Sequence, residues 1–389
     1  MLKYCVGIDV SKNELQCCIS TIDQLQKVTV KSSGKFANTQ AGFMQLHHWI
    51  CSRHKNKEVP LVVVMEATGI YYEQIAMYLF QQHYAVSVVL PNKAKKYLQS
   101  TGLKSKNDQI DAQGLARMGA AQCLELWQPM QTYFYELREL TRQHQSLQEL
   151  KTRINNQLHA SQSGMCQHQV VIAQLQALIT TLNQQIKELE AAIEQHIEHK
   201  EEVKHKVDNI CKLKGLGTLT VAVILAEANG FVLFKNSRQL VSYAGYDVVE
   251  NQSGDHRGKT KISKKGNSRI RRALHMPAFC VVNYEQHPFV GLFNRTLEHH
   301  GQKMKSYVAV QKKLLVIIYA LWKNNTSYEL NYKPHTHTGE QEQVLSSLPG
   351  LAQADPTGGQ KNSASLQEQT ALHKVNILSN DRSLLPLCQ

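Results

Sequence analysis

Two short apolar runs in this chain each end on an acid. Cys5-Val6-Gly7-Ile8 leads into Asp9, and Leu61-Val62-Val63-Val64-Met65 leads into Glu66. Apolar runs of this length without polar alternation read as strands buried on both faces. Such strands need helices packed on either side of a sheet. An acid at the end of a buried strand is costly unless something pairs with it. Two further acids, Asp108 and Asp111, stand three apart in Lys106-Asn107-Asp108-Gln109-Ile110-Asp111. On a helix that spacing puts both on one face.

Periodicity fills in the elements around these acids. Residues 2–9, 15–20 and 27–31 read as strands, and 38–53 as a helix with Phe43, Leu46 and Ile50 on one face. A strand over 61–66, a helix over 71–82, a strand over 85–90 stopped by Pro91, and a helix over 108–119 follow. The order β-β-β-α-β-α-β-α predicts an α/β ribonuclease-H-like domain over residues 1–125. Residues 126–205 carry Leu137, Leu140, Leu147, Leu150, Ile154 and Leu158, then Val171, Leu175, Leu178, Leu182, Ile186, Leu189, Ile193 and Ile197 after a polar break. That seam predicts a coiled coil or helical hairpin, serving as a spacer or dimerisation arm. Residues 206–330 read as a mostly helical second domain, and the Gln/Ser/Gly-rich residues 331–389 as a disordered tail.

The charge distribution narrows the partner. The net charge is +13, but the segment from His335 onward has three basic and five acidic residues, so the first 334 residues carry +15. A basic body favours a polyanion, and nucleic acid is the commonest one. No apolar stretch is long enough for a transmembrane helix, and no membrane partner is expected. The nine cysteines show no Cys-x-x-Cys spacing. They read as reduced thiols of a cytoplasmic, nucleoid-associated protein with no zinc site.

Four carboxylates brought together need cations, and hard oxygen ligands suit Mg²⁺. Two strand-end acids facing two helix acids can hold a pair of cations about 3.5–4 Å apart, an arrangement for phosphodiester chemistry. Lys104 and Lys106 are placed to position the phosphate. Each acid alone also has a structural reading. Asp9 could cap the turn at Ser11, Glu66 could be an exposed strand end, and Asp108 suits a helix N-terminus. Actin-like sugar kinases also open with Gly-Ile-Asp, but here no Gly-Thr-Thr follows Asp9.

The second domain opens with Lys214-Gly215-Leu216-Gly217. Gly215 and Gly217 would let backbone N–H groups approach a phosphate, as in a helix-hairpin-helix element; a plain helix turn is the alternative. Residues 257–272 hold Arg257, Lys259, Lys261, Lys264, Lys265, Arg269, Arg271 and Arg272 and no acid. That density predicts a phosphate-contacting patch. Ser253 lies in a Gly-flanked loop just before it. A serine is a poor nucleophile unless activated, and chemistry alone reads it as a turn residue.

Taken together, Gly7-Ile8-Asp9-Val10-Ser11-Lys12, Met65-Glu66-Ala67-Thr68-Gly69 and Lys104-x-Lys106-x-Asp108-x-x-Asp111-Ala112 resemble the N-terminal half of the DEDD transposases. These are the "one-ten" group of bacterial insertion sequences, related to the pilin-gene invertases. Gly215-Leu216-Gly217, Ala226-Glu227, Tyr243-Ala244-Gly245, Gln252-Ser253-Gly254 and the run Ile262 to Leu274 are similar to its C-terminal half. The resemblance covers roughly residues 3–325. It implies that Asp9, Glu66, Asp108 and Asp111 bind Mg²⁺ and that Ser253 is the nucleophile, forming a covalent phosphoserine link to DNA. It further implies a homo-oligomer, dimer or tetramer, with the acids of one subunit set against the serine of another, and an element-encoded guide RNA. One departure is the absence of Pro after the Ala-Gly pair: Gly245 is followed by Tyr246-Asp247. The expectation is a DNA recombinase. The alternatives are a junction-resolving nuclease using water on the same acids, and a non-catalytic nucleic-acid-binding protein.

Overall fold

The computed structural model describes residues 2–100, 107–250, 252–253, 256–258 and 261–329, with Gln252, Ser253, His256 and Arg257 described by their backbone pairing. Lys104, Lys106, Lys259 and the tail from residue 330 lie outside the described residues.

The chain begins with a meander of three antiparallel strands, β1 (Lys3–Val10), β2 (Glu14–Ile22) and β3 (Val28–Ala37). Ser11 closes the first turn, its hydroxyl and amide bonding Glu14. After α1 (Gln40–Arg53), strand β4 (Leu61–Glu66) pairs parallel to β1. After α2 (Glu73–Gln81), β5 (Ala85–Val89) pairs parallel to β4. The sheet order β3-β2-β1-β4-β5 is the mixed sheet expected of a ribonuclease-H-like domain. One element was not expected. Pro91 starts helix α3 (Pro91–Ser100) rather than only stopping a strand, because its fixed φ and missing N–H suit a first helical turn.

The two faces of the sheet differ. Tyr4, Val6, Ile8 and Val10 of β1 pack with α1 and α2 through Phe43, Leu46, Ile50, Ile75 and Leu79. Side chains alternate along a strand, so Cys5, Gly7 and Asp9 point to the other face. There α4 (Asp108–Ala121) lies directly on the backbone. A Cβ on Gly7 would stand 2.2 Å from both Ala112 O and Ala116 N, and one on Gly119 would stand 2.3 Å from Cys5 Sγ. Helix and strand run in opposite senses at these contacts. Cys5 meets residue 119, Gly7 meets 112 and 116, and the next inward residue, Asp9, faces the first turn of α4.

Two long helices follow, α5 (Thr132–Ser163) and α6 (Gln169–Glu198). They run antiparallel: Tyr133 hydrogen-bonds His196, and His144 pairs with Glu190. Buried apolar residues run along α6 from Ile172 through Leu182. Ile186, Ile193 and Ile197 are buried, whereas Leu150, Val171 and Leu178 are exposed.

The remaining described elements are mostly helical. They are α7 (Glu201–Cys211), α8 (Thr218–Glu227), α9 (Ser237–Tyr243), α10 (Ser268–Ala273), α11 (His275–Asn283), α12 (Phe289–His300) and α13 (Lys303–Asn324). Leu213, Val221, Leu225, Phe231, Leu274 and Leu314 are among the residues of their common core, which also takes in Phe134 and Leu137 of α5. Between α9 and α10 the chain forms small strands: β6 (Val248–Val249) pairs with β9 (Lys261–Ile262), and β7 (Gln252–Ser253) with β8 (His256–Arg257). No described helix is long and apolar enough to cross a membrane.

The contact at Gly7 yields a test. Gly7→Ala must push α4 off β1, because the atoms it meets are backbone and cannot swing aside. The variant is expected to lose about 1–3 kcal/mol in a urea titration, and a value below about 0.5 kcal/mol would contradict the close contact.

Candidate active site and nucleic-acid interface

The sheet register places the first two acids. Ile8 pairs with Met65, so Asp9 and Glu66, one residue further on, stand side by side where the parallel strands β1 and β4 end. Both are half-buried. The loops beyond them are tied by Asn38, whose amide donates to Ser11 O at 2.8 Å and Tyr71 O at 3.2 Å. Asp108 and Asp111 lie in the first turn of α4, which Asn107 caps by accepting from Ile110 N at 2.8 Å. Asp108 is exposed and Asp111 half-buried. All four acids thus belong to one end of the sheet, on the face covered by α4. Among the described residues no three His, Cys, Asp or Glu side chains form a group that could hold a metal ion. The four acids expected from the sequence are carboxylates, the donor type that suits a hard cation such as Mg²⁺, but the described side chains are not gathered into one such group.

Ser253 is a strand residue. It pairs with His256 in the inner strands, while Val249 pairs with Lys261 in the outer ones. In chain order the β7–β8 pair lies within the β6–β9 pair. The sequence reading of a loop before the basic patch missed this, because each strand has only two residues and shows no periodicity.

The basic residues divide by their surroundings. Lys261, Lys264, Lys265 and Arg272 are exposed, and Arg257 lies on β8 opposite Gln252. Arg271 is turned inward. It donates to Ala244 O at 2.6 Å and to Lys264 O at 3.3 Å, so it braces the hairpin's base. Arg269 lies 3.8 Å from Glu227, and Arg272 pairs with Glu149 of α5. Gly215 and Gly217 link α7 to α8. Gly215 has φ +99°, and a Cβ there would meet Cys280 Cβ at 3.0 Å, so this glycine serves close packing on α11. Gly217 precedes α8 with open space around its Cα, and Lys214 lies 5.1 Å over the Tyr284 ring.

Sequence reading overlooked a buried ionic node. Glu227 ends the apolar run of α8 and its side chain is 2% exposed. Arg142 of α5 grips it with two bonds, Nε at 2.7 Å and Nη2 at 3.0 Å, and the Asn267 amide donates at 2.7 Å. Burial pushes this carboxyl up. The hydrogen bonds from Arg142 and Asn267, with the charges of Arg142 and Arg269, outweigh burial and hold it below the ordinary 4.5. The signal was present: an acid closing an apolar run, the same pattern that singled out Asp9 and Glu66. A second pair ties the same helix to the sheet domain, since Glu73 of α2 accepts from Arg138 at 3.1 Å and from Tyr135 at 2.9 Å. These groups and Trp127 line a cavity of about 190 Å³ between the two halves.

Truncating one partner of such a pair leaves a buried charge. Arg142→Met is expected to cost about 3 kcal/mol, the low end for a buried pair because Asn267 still bonds Glu227. The pH dependence has a definite sign. A carboxyl held below 4.5 contributes stability that is fully present above that value and is lost as pH falls through its folded value. Urea melts between pH 6 and pH 3 are expected to show a steeper loss in the wild type than in Glu227→Gln; equal slopes would contradict the depressed carboxyl.

Comparison with known proteins identifies the family. Residues 6–166 match a family model for the DEDD transposase of IS110 elements, and residues 207–290 match that of the transposase IS116/IS110/IS902 family. The pilin gene-inverting protein of Moraxella bovis is 31% identical over 333 residues, covering 85% of this chain and 98% of its own. That of Moraxella lacunata is 30% identical over the same shares. Among solved structures, Thermus thermophilus RuvC in complex with a Holliday junction aligns with 30% of this chain and 93% of its own, at 13% identity and a TM-score of 0.24. The two family models in chain order, with a relative matched along nearly its whole length, establish that the chain belongs to the IS110 family of transposases.

Proposed function

We propose that this transposase cuts and rejoins DNA strands with Ser253 as nucleophile and Asp9, Glu66, Asp108 and Asp111 as the Mg²⁺-binding acids. The observation that carries this reading is the register that sets Asp9 beside Glu66 at the sheet end faced by the first turn of α4. Bound Mg²⁺ would neutralise the phosphate and favour loss of the attacking hydroxyl's proton. The serine Oγ bonds to phosphorus while the bond to one deoxyribose oxygen breaks. That oxygen leaves as a hydroxyl, taking up the proton that serine gives up. A hydroxyl of the receiving strand then displaces the serine, so the phosphodiester count is unchanged and no nucleotide triphosphate is consumed.

Lys261, Lys264, Lys265 and Arg272, with Arg257, Lys259, Arg269, Lys104 and Lys106, hold DNA phosphates in this reading, as do the backbone groups at Gly217. The charge of +15 on the first 334 residues supports a second polyanion as well, and we assign it to a structured guide RNA encoded by the element. Two or four copies would act together, brought together by the helical hairpin, whose outer apolar residues Leu150, Val171 and Leu178 are exposed.

The test is carried out in cells, on a plasmid holding the gene with its flanking DNA. Denaturing capture of the chain is expected to yield a protein–DNA adduct that maps to Ser253 by mass spectrometry. Ser253→Ala should abolish the adduct and lower recombined junctions by more than about a thousandfold. Asp9→Asn should do the same while the purified protein still retards flanking DNA in a gel. Cleavage by Ser253→Ala at the wild-type rate would instead identify a nuclease that uses water on the same acids.

A further inference from the structure

We propose that Glu227 is a positioning residue for strand cleavage: by holding the Asn267 amide it fixes the base of the hairpin that carries Ser253. This rests on Ser253 being the nucleophile.

The hairpin cannot orient itself. Its described ladder has two pairs in β6–β9 and two in β7–β8, neither of which joins another sheet. Two-stranded ribbons of that size are marginal alone, and Val248 and Val249 are exposed. Orientation is therefore set where the hairpin enters the helical body. There the segments 243–247 and 263–267 are laced by Ser263 N to Asp247 O at 2.7 Å, Lys264 N to Gly245 O at 3.1 Å and Asn267 N to Tyr243 O at 2.7 Å. Arg271 crosses both segments.

Asn267 is the last residue of this lacing and the cap of α10. Its Oδ1 accepts from Arg269 N at 3.0 Å and Ile270 N at 3.2 Å. Its Nδ2 donates to Glu227 Oε2 at 2.7 Å and lies 3.3 Å from Tyr243 Oη, which itself donates to Glu227 O at 3.1 Å. The Glu227 carboxylate in turn is fixed by the Arg142 fork. The side-chain path from the hairpin's base to α5 thus runs Asn267, Glu227, Arg142. Ser253 lies five residues along the chain from Val248, a reach of up to about 17 Å. A tilt of about 5° at the base moves the serine by roughly 1.5 Å, and a misplacement of about 1 Å can cost a hundredfold in rate.

A reciprocal swap separates positioning from folding. Asn267→Asp keeps the α10 cap, since Asp caps as well as Asn, but sets a carboxylate against Glu227. Glu227→Gln combined with Asn267→Asp rebuilds the hydrogen bond with donor and acceptor exchanged and keeps the node's total charge, while the Arg142 Nη2 bond to the same oxygen is lost and the Nε bond to Oε1 remains. The adduct assay is run on full-length variants expressed with the flanking DNA, alongside thermal melts and gel retardation of flanking duplex by the purified proteins. Asn267→Asp is expected to lower the Ser253 adduct about 10- to 100-fold with DNA retardation unchanged, and the double variant to exceed Asn267→Asp alone by at least about threefold, short of wild type because one Arg142 bond is lost. Wild-type adduct levels in a folded Asn267→Asp protein overturn the inference, as does a double variant that melts like wild type without recovering. If the wild type itself recombines with no serine adduct, the nucleophile assignment fails and the positioning role falls with it.

Discussion

The N-terminal half depends on one contact, the seating of α4 on the backbone of β1 at Gly7. A side chain there would meet backbone atoms of Ala112 and Ala116 at 2.2 Å. Because the helix lies this close and runs opposite to the strand, its first turn arrives over Asp9. The parallel pairing of β1 with β4 brings Glu66 beside it. Apolar packing supports both placements, through Val64, Leu115 and Met118 on one side and Ile8, Met65 and Phe43 on the other. The packing of the core thus sets the ends of β1 and β4 and the start of α4 at one end of the sheet.

The C-terminal half is organised around a charge instead. Glu227 lies inside an apolar layer and is tolerated because Arg142, Asn267 and the more distant Arg269 surround it. Helix α5 is common to both arrangements. It touches Glu73 next to the sheet, Glu227 next to the serine hairpin and Arg272 on α10 through Glu149. A family assignment explains why both halves occur in one chain. The ionic contacts along α5 show how they are joined.

Much of this was legible in the amino-acid sequence, for identifiable reasons. The strands of the sheet were visible because apolar runs of five or six residues have little else to become. The long helices were visible because their seams repeat over several turns. Asp9 and Glu66 were noticed because an acid breaks such a run. What escaped was short or nonlocal. Helix α3 was hidden by Pro91, which can begin a helix as well as end a strand. The β6–β9 hairpin was hidden because two-residue strands have no period. The inward turn of Arg271 was hidden because a basic residue amid seven others looks like one more phosphate contact, and only the fold shows the carbonyls it meets.

Helix α5 has a property that its separate contacts do not reveal. Its 32 residues make a rod about 48 Å long. The ionic ties to the body all fall between Tyr135 and Glu149. The outer 14 residues, Leu150 to Ser163, are braced chiefly by α6. A rod with its ionic ties in its inner half and α6 packed along it is a lever with its fulcrum at Arg138 and Arg142. Whatever pulls on the tip applies torque to the two ion pairs that connect the acidic and serine halves of the molecule.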